Sequence, residues 1–440
     1  MISLTNGFHH FLYKTISIVF TALFSIYSIS GGINKEPPEA PDNFTPVLRF
    51  TVCSDIHLDG ETDQANAKRF AKLFSNSYKY SEKHKNYNYL DAVIVCGDMT
   101  NEGKPQELQM YSDIIKNNIR EGTEILQCMG NHEFINERNS QTESAINDFK
   151  EFVTEETETH TVINGYHFIG ISYSDKDENF GDKIKWLDEQ IKIAISEDKN
   201  KPVFVFQHPH PTLTVYGSIH WSNIDISKVL RKYPQVVDFS GHSHYASVDP
   251  RTVWQGSFTA IGTGAITGLM GNLDYINGDA YSQFRTGSYN IVEVDADGNI
   301  RLQVYDCVTE KFFENGDYYF PNPTNKKNRI HNWTNKYSLD TKPQFPDNAE
   351  IVSEINNDGE TVIYFPRAIG YFEAESYKLI VSKDKKKIKQ ETVLSNYILA
   401  DGKDMWINLG VLEEGVYNIK IKPSSPYAKQ GKSLKGSITV

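Results

Sequence analysis

The sequence predicts a layered α/β domain followed by a small all-β module of sandwich type. Short apolar runs alternate with amphipathic helical segments between about residues 47 and 305, the pattern of α/β folds, in which ligands collect where strands end in loops. Beyond about Pro321 the helical periodicity stops, and short alternating segments with turn signals take its place. The chain has 440 residues, more than one core usually serves.

The elements follow in order. Lys14 precedes an apolar run, Ile16 to Ile29, that ends in Ser28-Ile29-Ser30-Gly31-Gly32. A run this short falls below the ~20 residues of a membrane span and suits a signal peptide. Residues 1–32 are therefore expected to be a signal peptide or membrane anchor. The protein is expected to be exported, extracellular or at the cell surface. Residues 33–46, rich in Pro, Glu, Asp and Asn, read as a linker. Val47 to Ser54 reads as a strand with one charge, Arg49. Asp63 to Lys79 reads as a helix, and Ala92 to Cys96 as a strand buried on both faces. Pro105 opens a helix to about Asn118, a proline being tolerated in the first turn. Ile125 to Met129 is a third strand. Ile184, Leu187, Ile191 and Ile195 recur at helical spacing, and Pro202 to Gln207 and Val236 to Ser240 are further strands. Tyr289 to Tyr305 reads as a hairpin turning at Asp297-Gly298. These elements delimit an α/β domain over 47–321.

Residues 322–440 carry the β segments Glu360 to Phe365, Tyr377 to Val381, Met405 to Leu409 and Tyr417 to Ile421, with turns at Asp358-Gly359 and Asp401-Gly402. The lysine-rich run Lys383 to Lys389 reads as a solvated hairpin tip. Cys53, Cys96, Cys128 and Cys307 are scattered, three of them in apolar runs, and read as core thiols. The net charge of −12 argues against nucleic-acid polymers and anionic membranes as partners. A small anionic substrate is still admissible if a metal site makes a local positive field.

Five strand ends carry metal-competent side chains. Asp55 and His57 follow the first strand, Asp98 the second, and Asn131, His132 and Glu133 the third. His208 follows the fourth, and His242 and His244 the fifth. Parallel strands end on one side of a sheet, so these groups can converge. Carboxylates with neutral imidazoles suit Zn, Mn or Fe. Two cations ~3.5–4 Å apart need a bridging carboxylate, for which Asp98 is the candidate. Asp55, His57 and His244 would complete the first site; Asn131, His208 and His242 would complete the second. The glycines beside Asp98, Asn131 and His242 are expected to let the backbone turn sharply.

The order Asp-x-His, Gly-Asp, Gly-Asn-His-Glu, His, Gly-His-x-His resembles the calcineurin-like metallophosphoesterases over roughly residues 48–310. The resemblance implies a four-layer α/β/β/α sandwich, a dinuclear centre, and the same ligands position by position. It also implies that His132 is no ligand, which leaves it to stabilise charge or protonate the leaving oxygen. Protein Ser/Thr phosphatases carry Asp-Arg-Gly where this chain has Asn101-Glu102-Gly103. Purple acid phosphatases carry a tyrosine near Thr100. The segment Gly97-Asp98-Met99-Thr100-Asn101 is closer to small phosphodiesterases, with Asn101 in place of their second aspartate. Asn101 is then expected to hold His132 without adding charge. The C-terminal module resembles a fibronectin type III sandwich, with Tyr417 in a Tyr-x-Ile-x-Ile strand.

Together these features predict a phosphodiesterase acting on a small organic or nucleotide ester. Its cations would lower the pKa of a bridging water that attacks phosphorus in line. Tyr216, His220 and Trp221 are candidates for stacking on the substrate, and His210 for touching a phosphate. His160 and His167 read as structural. Two alternatives are a phosphomonoesterase or 5′-nucleotidase, and an exported binding protein with a vestigial site. In either case the C-terminal module is a candidate for cell-surface contact.

Overall fold

The computed structural model describes residues 35–60, 64–136, 142–269, 286–400, 402 and 404–440. The predicted targeting segment lies outside the described residues. Among the described residues no helix is long and apolar enough to cross a membrane. One unit comprises Pro37–Ile330 with Ile398–Gly402; the other comprises the described residues of 1–36, 331–397 and 403–440.

The first unit opens with β1 (Pro46–Cys53), α1 (Ala65–Lys83), β2 (Ala92–Cys96), α2 (Pro105–Asn118), β3 (Glu124–Cys128) and α3 (Thr142–Phe152). It continues with β4 (Glu158–Ile163), β5 (Tyr166–Ile171), α4 (Lys183–Glu197), β6 (Val203–Gln207), β7 (His210–Pro211), β8 (Ser222–Asn223), α5 (Ile224–Leu230) and β9 (Val236–Ser240). It closes with β10 (Val253–Gln255), β11 (Thr259–Gly262), β12 (Ser288–Asp295), β13 (Ile300–Asp306) and β14 (Lys311–Phe320). Two six-stranded sheets result, in the orders β14-β13-β12-β1-β2-β3 and β10-β11-β9-β6-β5-β4. β1, β2 and β3 run parallel in the first, and β5, β6, β9 and β11 in the second.

The sheets face each other across an aromatic core. Phe50 of β1 meets Phe168, Phe204 and Phe239 of the other sheet at centroid distances of 5.2, 4.9 and 5.9 Å, within the range of favourable edge-on packing. α1 lies on the far side of the first sheet, where Thr51 donates to Ser77 at 2.9 Å, and Phe70 stacks on Tyr111 of α2. α4 covers the second sheet. This is the four-layer α/β/β/α arrangement. The converging strand ends therefore come from two facing sheets, not from the single sheet that the strand argument took.

Several elements escaped the sequence. β11 is short, β4 is a half-exposed edge strand of mixed polarity, and β5 is buried but interrupted by His167 and Gly170, so none shows a clean pattern. β14 extends the predicted hairpin by one strand. The hairpin turn itself sits at Gly298, with φ +76°. His160 and His167 face each other on β4 and β5, joined at 2.8 Å. All four cysteines are free and buried.

Arg49, the one charge of β1, is fully buried. It pairs with its cross-strand neighbour Glu293 at 2.7 Å and donates to the carbonyls of Tyr87 and Tyr89. Removing one partner strands the other's charge in the core. Arg49→Ala is therefore expected to cost ~3–5 kcal/mol, read by chemical denaturation. A loss under ~1 kcal/mol would show that Glu293 finds water or another donor.

The compositional break near Pro321 precedes the structural division, which falls after Ile330. The reason is Arg329, whose guanidinium is buried among the carbonyls of Pro234, Gly256, Ser257 and Pro323.

The second unit begins with a short helix, α6 (Trp333–Leu339), where the sequence predicted none. Its start is marked by a cap, the Asn332 side chain accepting from Asn335 N, rather than by periodicity. Then follow β15 (Val352–Ile355), β16 (Thr361–Phe365), β17 (Ser376–Lys383), β18 (Lys386–Leu394), β19 (Met405–Asn408), β20 (Val416–Ser424) and β21 (Leu434–Thr439). They form antiparallel sheets in the orders β15-β16-β19 and β18-β17-β20-β21, which share one core around Ile363, Phe365, Tyr377 and Ile419. The lysine-rich run is the β17–β18 hairpin, turning at Asp384 and Lys385, both left-handed. Tyr417, at the start of β20, donates to the Glu413 carbonyl at 2.7 Å.

Candidate metal centre

The C-terminal ends of β1, β2 and β3 meet those of β6 and β9. Three groups have ligand atoms within 4.8 Å of one another: Asp55, His57 and His244; Asp98, His208 and His242; and His57, Asp98 and His132. Asp98 belongs to two of them, and so stands between the pairs. His57 Nε2 lies 3.1 Å from His244 Nε2, and His208 Nε2 lies 3.1 Å from both His242 Nδ1 and Asp98 Oδ2. His244 Nε2 stands 3.1 Å from Asp55 Oδ1. Ligand atoms held ~2.0–2.1 Å from a shared cation stand ~3.0–3.4 Å apart around it, so these spacings fit such a site.

The hydrogen bonds behind the rings agree. His208 Nδ1 faces the Cys96 carbonyl at 2.8 Å, and His244 Nδ1 faces the Gly268 carbonyl at 2.9 Å. Each ring therefore donates backwards and turns the lone pair of Nε2 into the site, the arrangement of ligating histidines. Asp55 Oδ1 and Asn131 Oδ1 are buried without a hydrogen-bond partner. A cation would satisfy both.

The backbone at this site is strained. Asp55, His57, Asp98, His242 and His244 all have positive φ, between 50° and 68°, a region that side-chain-bearing residues adopt at a cost of ~1–3 kcal/mol. The sequence reading expected the adjacent glycines to make these turns. Only Gly97 has positive φ, +79°. Gly130 and Gly241 make room instead. A Cβ on Gly130 would stand 2.1 Å from Asp98 Oδ1, and one on Gly241 2.6 Å from Asp55 Oδ2.

Glu133, which the sequence reading placed at the third strand end without a role, takes a positional one. It is buried. Its carboxylate accepts from the backbone N–H groups of Asp98, Thr100 and Gly130 at 3.1, 3.0 and 2.7 Å, and from the Thr100 hydroxyl at 2.8 Å. It thus ties the ends of β2 and β3 together. The available signal was a glutamate followed directly by Phe134 in a segment of ligands. Ser54 does similar work on the other side: its hydroxyl bonds the Asp55 carboxylate and meets Thr263 Oγ1 at 2.7 Å.

Electrostatics bind the cluster to itself. Burial would push the Asp55 and Asp98 carboxyls up, but the histidines beside them, His244 and His208 foremost, hold both below the usual range. Burial opposes charge on His208, yet the Asp98 and Asp55 carboxylates push it up to about 10. Burial pulls His57 down to about 4 and His242 down to about 3.

His132 has its ring edge-on to His57 at 4.4 Å, and its Nε2 lies 3.9 Å from Asp98 Oδ2. Its Nδ1 meets the backbone carbonyl of Asn101 at 2.7 Å. The holding group is the main chain, not the Asn101 side chain that the sequence reading invoked. The ring orientation is therefore independent of whether residue 101 is Asn or Asp.

The candidate substrate residues separate. His210 is buried, with Nδ1 on Ser240 Oγ at 2.8 Å and Nε2 on Ser243 Oγ at 2.7 Å, so neither nitrogen is left for a phosphate. Tyr216 lies between the Arg251 guanidinium at 3.7 Å and the Tyr245 ring at 4.0 Å, so its faces are already in use. Trp221 is half-buried with its ring edge-on to Tyr245, and the neighbouring His220 is exposed.

The calcineurin-like phosphoesterase family model matches residues 48–246. No curated protein matches the chain. A solved structure of purple acid phosphatase from yellow lupin (Lupinus luteus) seeds is similar at 14% identity and TM-score 0.42, over 64% of this chain. The chain spans 55% of the length of that phosphatase. A cytokine receptor complex is similar at 11% identity and TM-score 0.18, covering 38% of this chain and 76% of the other. Residues 48–246 are a calcineurin-like phosphoesterase domain, and its aspartate and histidine clusters are candidate ligands for divalent metals.

Proposed function

We propose that the protein hydrolyses phosphodiesters of small organic or nucleotide alcohols at a dinuclear centre. The observation that carries this reading is the pair of candidate ligand groups, Asp55-His57-His244 and Asp98-His208-His242, with Asp98 between them; the buried Asn131 Oδ1, on the turn after β3, has no hydrogen-bond partner. When bound, the cations supply Lewis acidity toward a phosphoryl oxygen and a lowered pKa for water. The protein's own part is positional. Glu133 and Ser54 fix the strand ends, the Asn101 carbonyl orients His132, and His132 Nε2 is left to hand a proton to the leaving oxygen. We keep His220 and Trp221, exposed and half-buried on the loop after His208, as the candidates for meeting the organic group.

A diester is favoured over a monoester by Glu178. It is exposed on the loop after β5, yet partial desolvation of its carboxyl and the Asp98 charge raise its pKa while His208 draws it down. A further acidic group here opposes a dianionic monoester more than a monoanionic diester. The Mn-loaded protein is expected to cleave bis-p-nitrophenyl phosphate with higher kcat/KM than p-nitrophenyl phosphate. The reverse preference would favour the monoesterase or nucleotidase reading, and no turnover of either would favour the vestigial one. Glu178→Gln should raise kcat/KM for the monoester by about two- to fivefold relative to the diester. An unchanged ratio would remove Glu178 from the account of specificity.

The apolar run at residues 16–29 supports export, tested by immunoblotting of cell fractions; protein confined to the soluble cytosol would overturn it. The order of the seven C-terminal strands and the Tyr417 hydroxyl bonded four residues back support a fibronectin type III-like module. Its proposed role is contact with the cell surface, read by co-sedimentation of the full chain with cell envelopes.

A further inference from the structure

The Ser243 hydroxyl sits between two proposed ligands, His242 and His244, both held at positive φ. That conformation must be over-determined by its surroundings to persist. Three contacts converge on Ser243. His210 Nε2 meets its hydroxyl at 2.7 Å. Gly217 fits so closely that a Cβ there would stand 2.7 Å from Ser243 Cβ. The third is its own backbone N–H, which donates to the Gly241 carbonyl at 2.8 Å.

His210 is fixed on every side. Its Nδ1 meets Ser240 Oγ at 2.8 Å, at the end of β9, just before the ligand loop leaves the sheet. Its backbone N–H donates to the Trp221 carbonyl at 3.0 Å, and β7 pairs with β8 at His210 and Ser222. One imidazole thus spans the ligand loop 242–244 from Ser240 to Ser243 and anchors it to the aromatic loop 212–221. A ring with one donor and one acceptor nitrogen satisfies both serines in either tautomer.

We infer that His210 is a positioning residue for the metal centre: it clamps Ser240 and Ser243, and so holds His242 and His244 where each reaches its cation. It touches neither cation nor substrate. The inference rests on the dinuclear reading of the site.

The test is a double-mutant cycle on cation affinity. Full-length protein is stripped of metal, and Zn²⁺ is titrated in competition with a chromogenic chelator. Ser243→Ala removes one hydroxyl and leaves the fold's apolar packing intact, while His210→Ala removes the clamp. Each is expected to weaken Zn²⁺ binding by ~10–100-fold. The double variant should be no weaker than His210→Ala alone, because both changes break the same hydrogen bond. A purely structural role would lower the melting temperature without this coupling in affinity. Should His210→Ala fail to fold, Ser240→Ala with Ser243→Ala forms the cycle, and weakened binding in both supports the clamp. Parent-level affinity in folded Ser243→Ala, or fully additive losses, would overturn it. Parent protein that takes up no Zn²⁺ would overturn the metal centre itself, and the clamp with it.

Discussion

Asp98→Ala is expected to leave a folded protein that retains neither cation firmly and turns over phosphodiesters at less than about a thousandth of the parent rate. Among the described residues, Asp98 is the one carboxylate in two of the candidate groups: with His57 and His132 in one and with His208 and His242 in another. Its Oδ2 stands 3.1 Å from His208 Nε2, and its Oδ1 accepts the His132 backbone N–H at 3.0 Å. Removing it takes away the shared ligand, the charge that draws His208 up, and the anchor of the His132 turn. Asp98→Asn separates these effects. It keeps an acceptor for the His132 N–H but loses the charge, so the turn should survive while cation affinity falls. Elemental analysis, turnover and thermal unfolding read the three outcomes. An Asp98→Ala protein with two cations and normal turnover would falsify the assignment.

His132→Ala is expected to lower turnover by ~10²–10⁴-fold while both cations remain bound. The family resemblance, rather than the geometry, sets His132 apart from the candidate ligands. Its Nδ1 is committed to the Asn101 carbonyl as those of His208 and His244 are to theirs, and its Nε2 is 3.9 Å from Asp98 Oδ2, against 3.1 Å for His208 Nε2. As a proton donor it matters most when the leaving group is a poor one. The loss should therefore be larger for alkyl esters than for p-nitrophenyl esters, whose leaving group needs little protonation. Equal losses on both would leave His132 as a stabiliser of charge. Loss of a cation in His132→Ala would instead make it a ligand. Asn101→Ala leaves the main-chain carbonyl in place, so its rate should stay close to that of the parent. A collapse there would return the holding role to the side chain.

How much of this was legible in the sequence follows from which residues report on their neighbours. Buried parallel strands did where they are continuous apolar runs: β2, β6 and β9 stood where the runs were, whereas β5, equally buried but broken by His167 and Gly170, and the four-residue β11 went unread. The edge strands β4, β15 and β18 did not, since one side faces water and their polar residues break the alternation. The candidate aspartate and histidine ligands were legible as a set, because chemistry restricts which side chains bind cations. The clamping groups were not, because a buried glutamate or serine looks like any other until its partners are known. Glu133 and Ser243 are such cases.

By itself, the sequence determined the α/β-then-β order of the chain and the seven candidate ligands, both properties of residue type and local periodicity. Tertiary structure alone decided that the ligands come from two facing sheets, and that five of them sit in left-handed backbone. It alone decided that Gly130 and Gly241 make room rather than turns, and that His210 faces two serines instead of a substrate. These are distances between residues far apart in the chain, set by how the sheets pack, and local sequence carries no record of them.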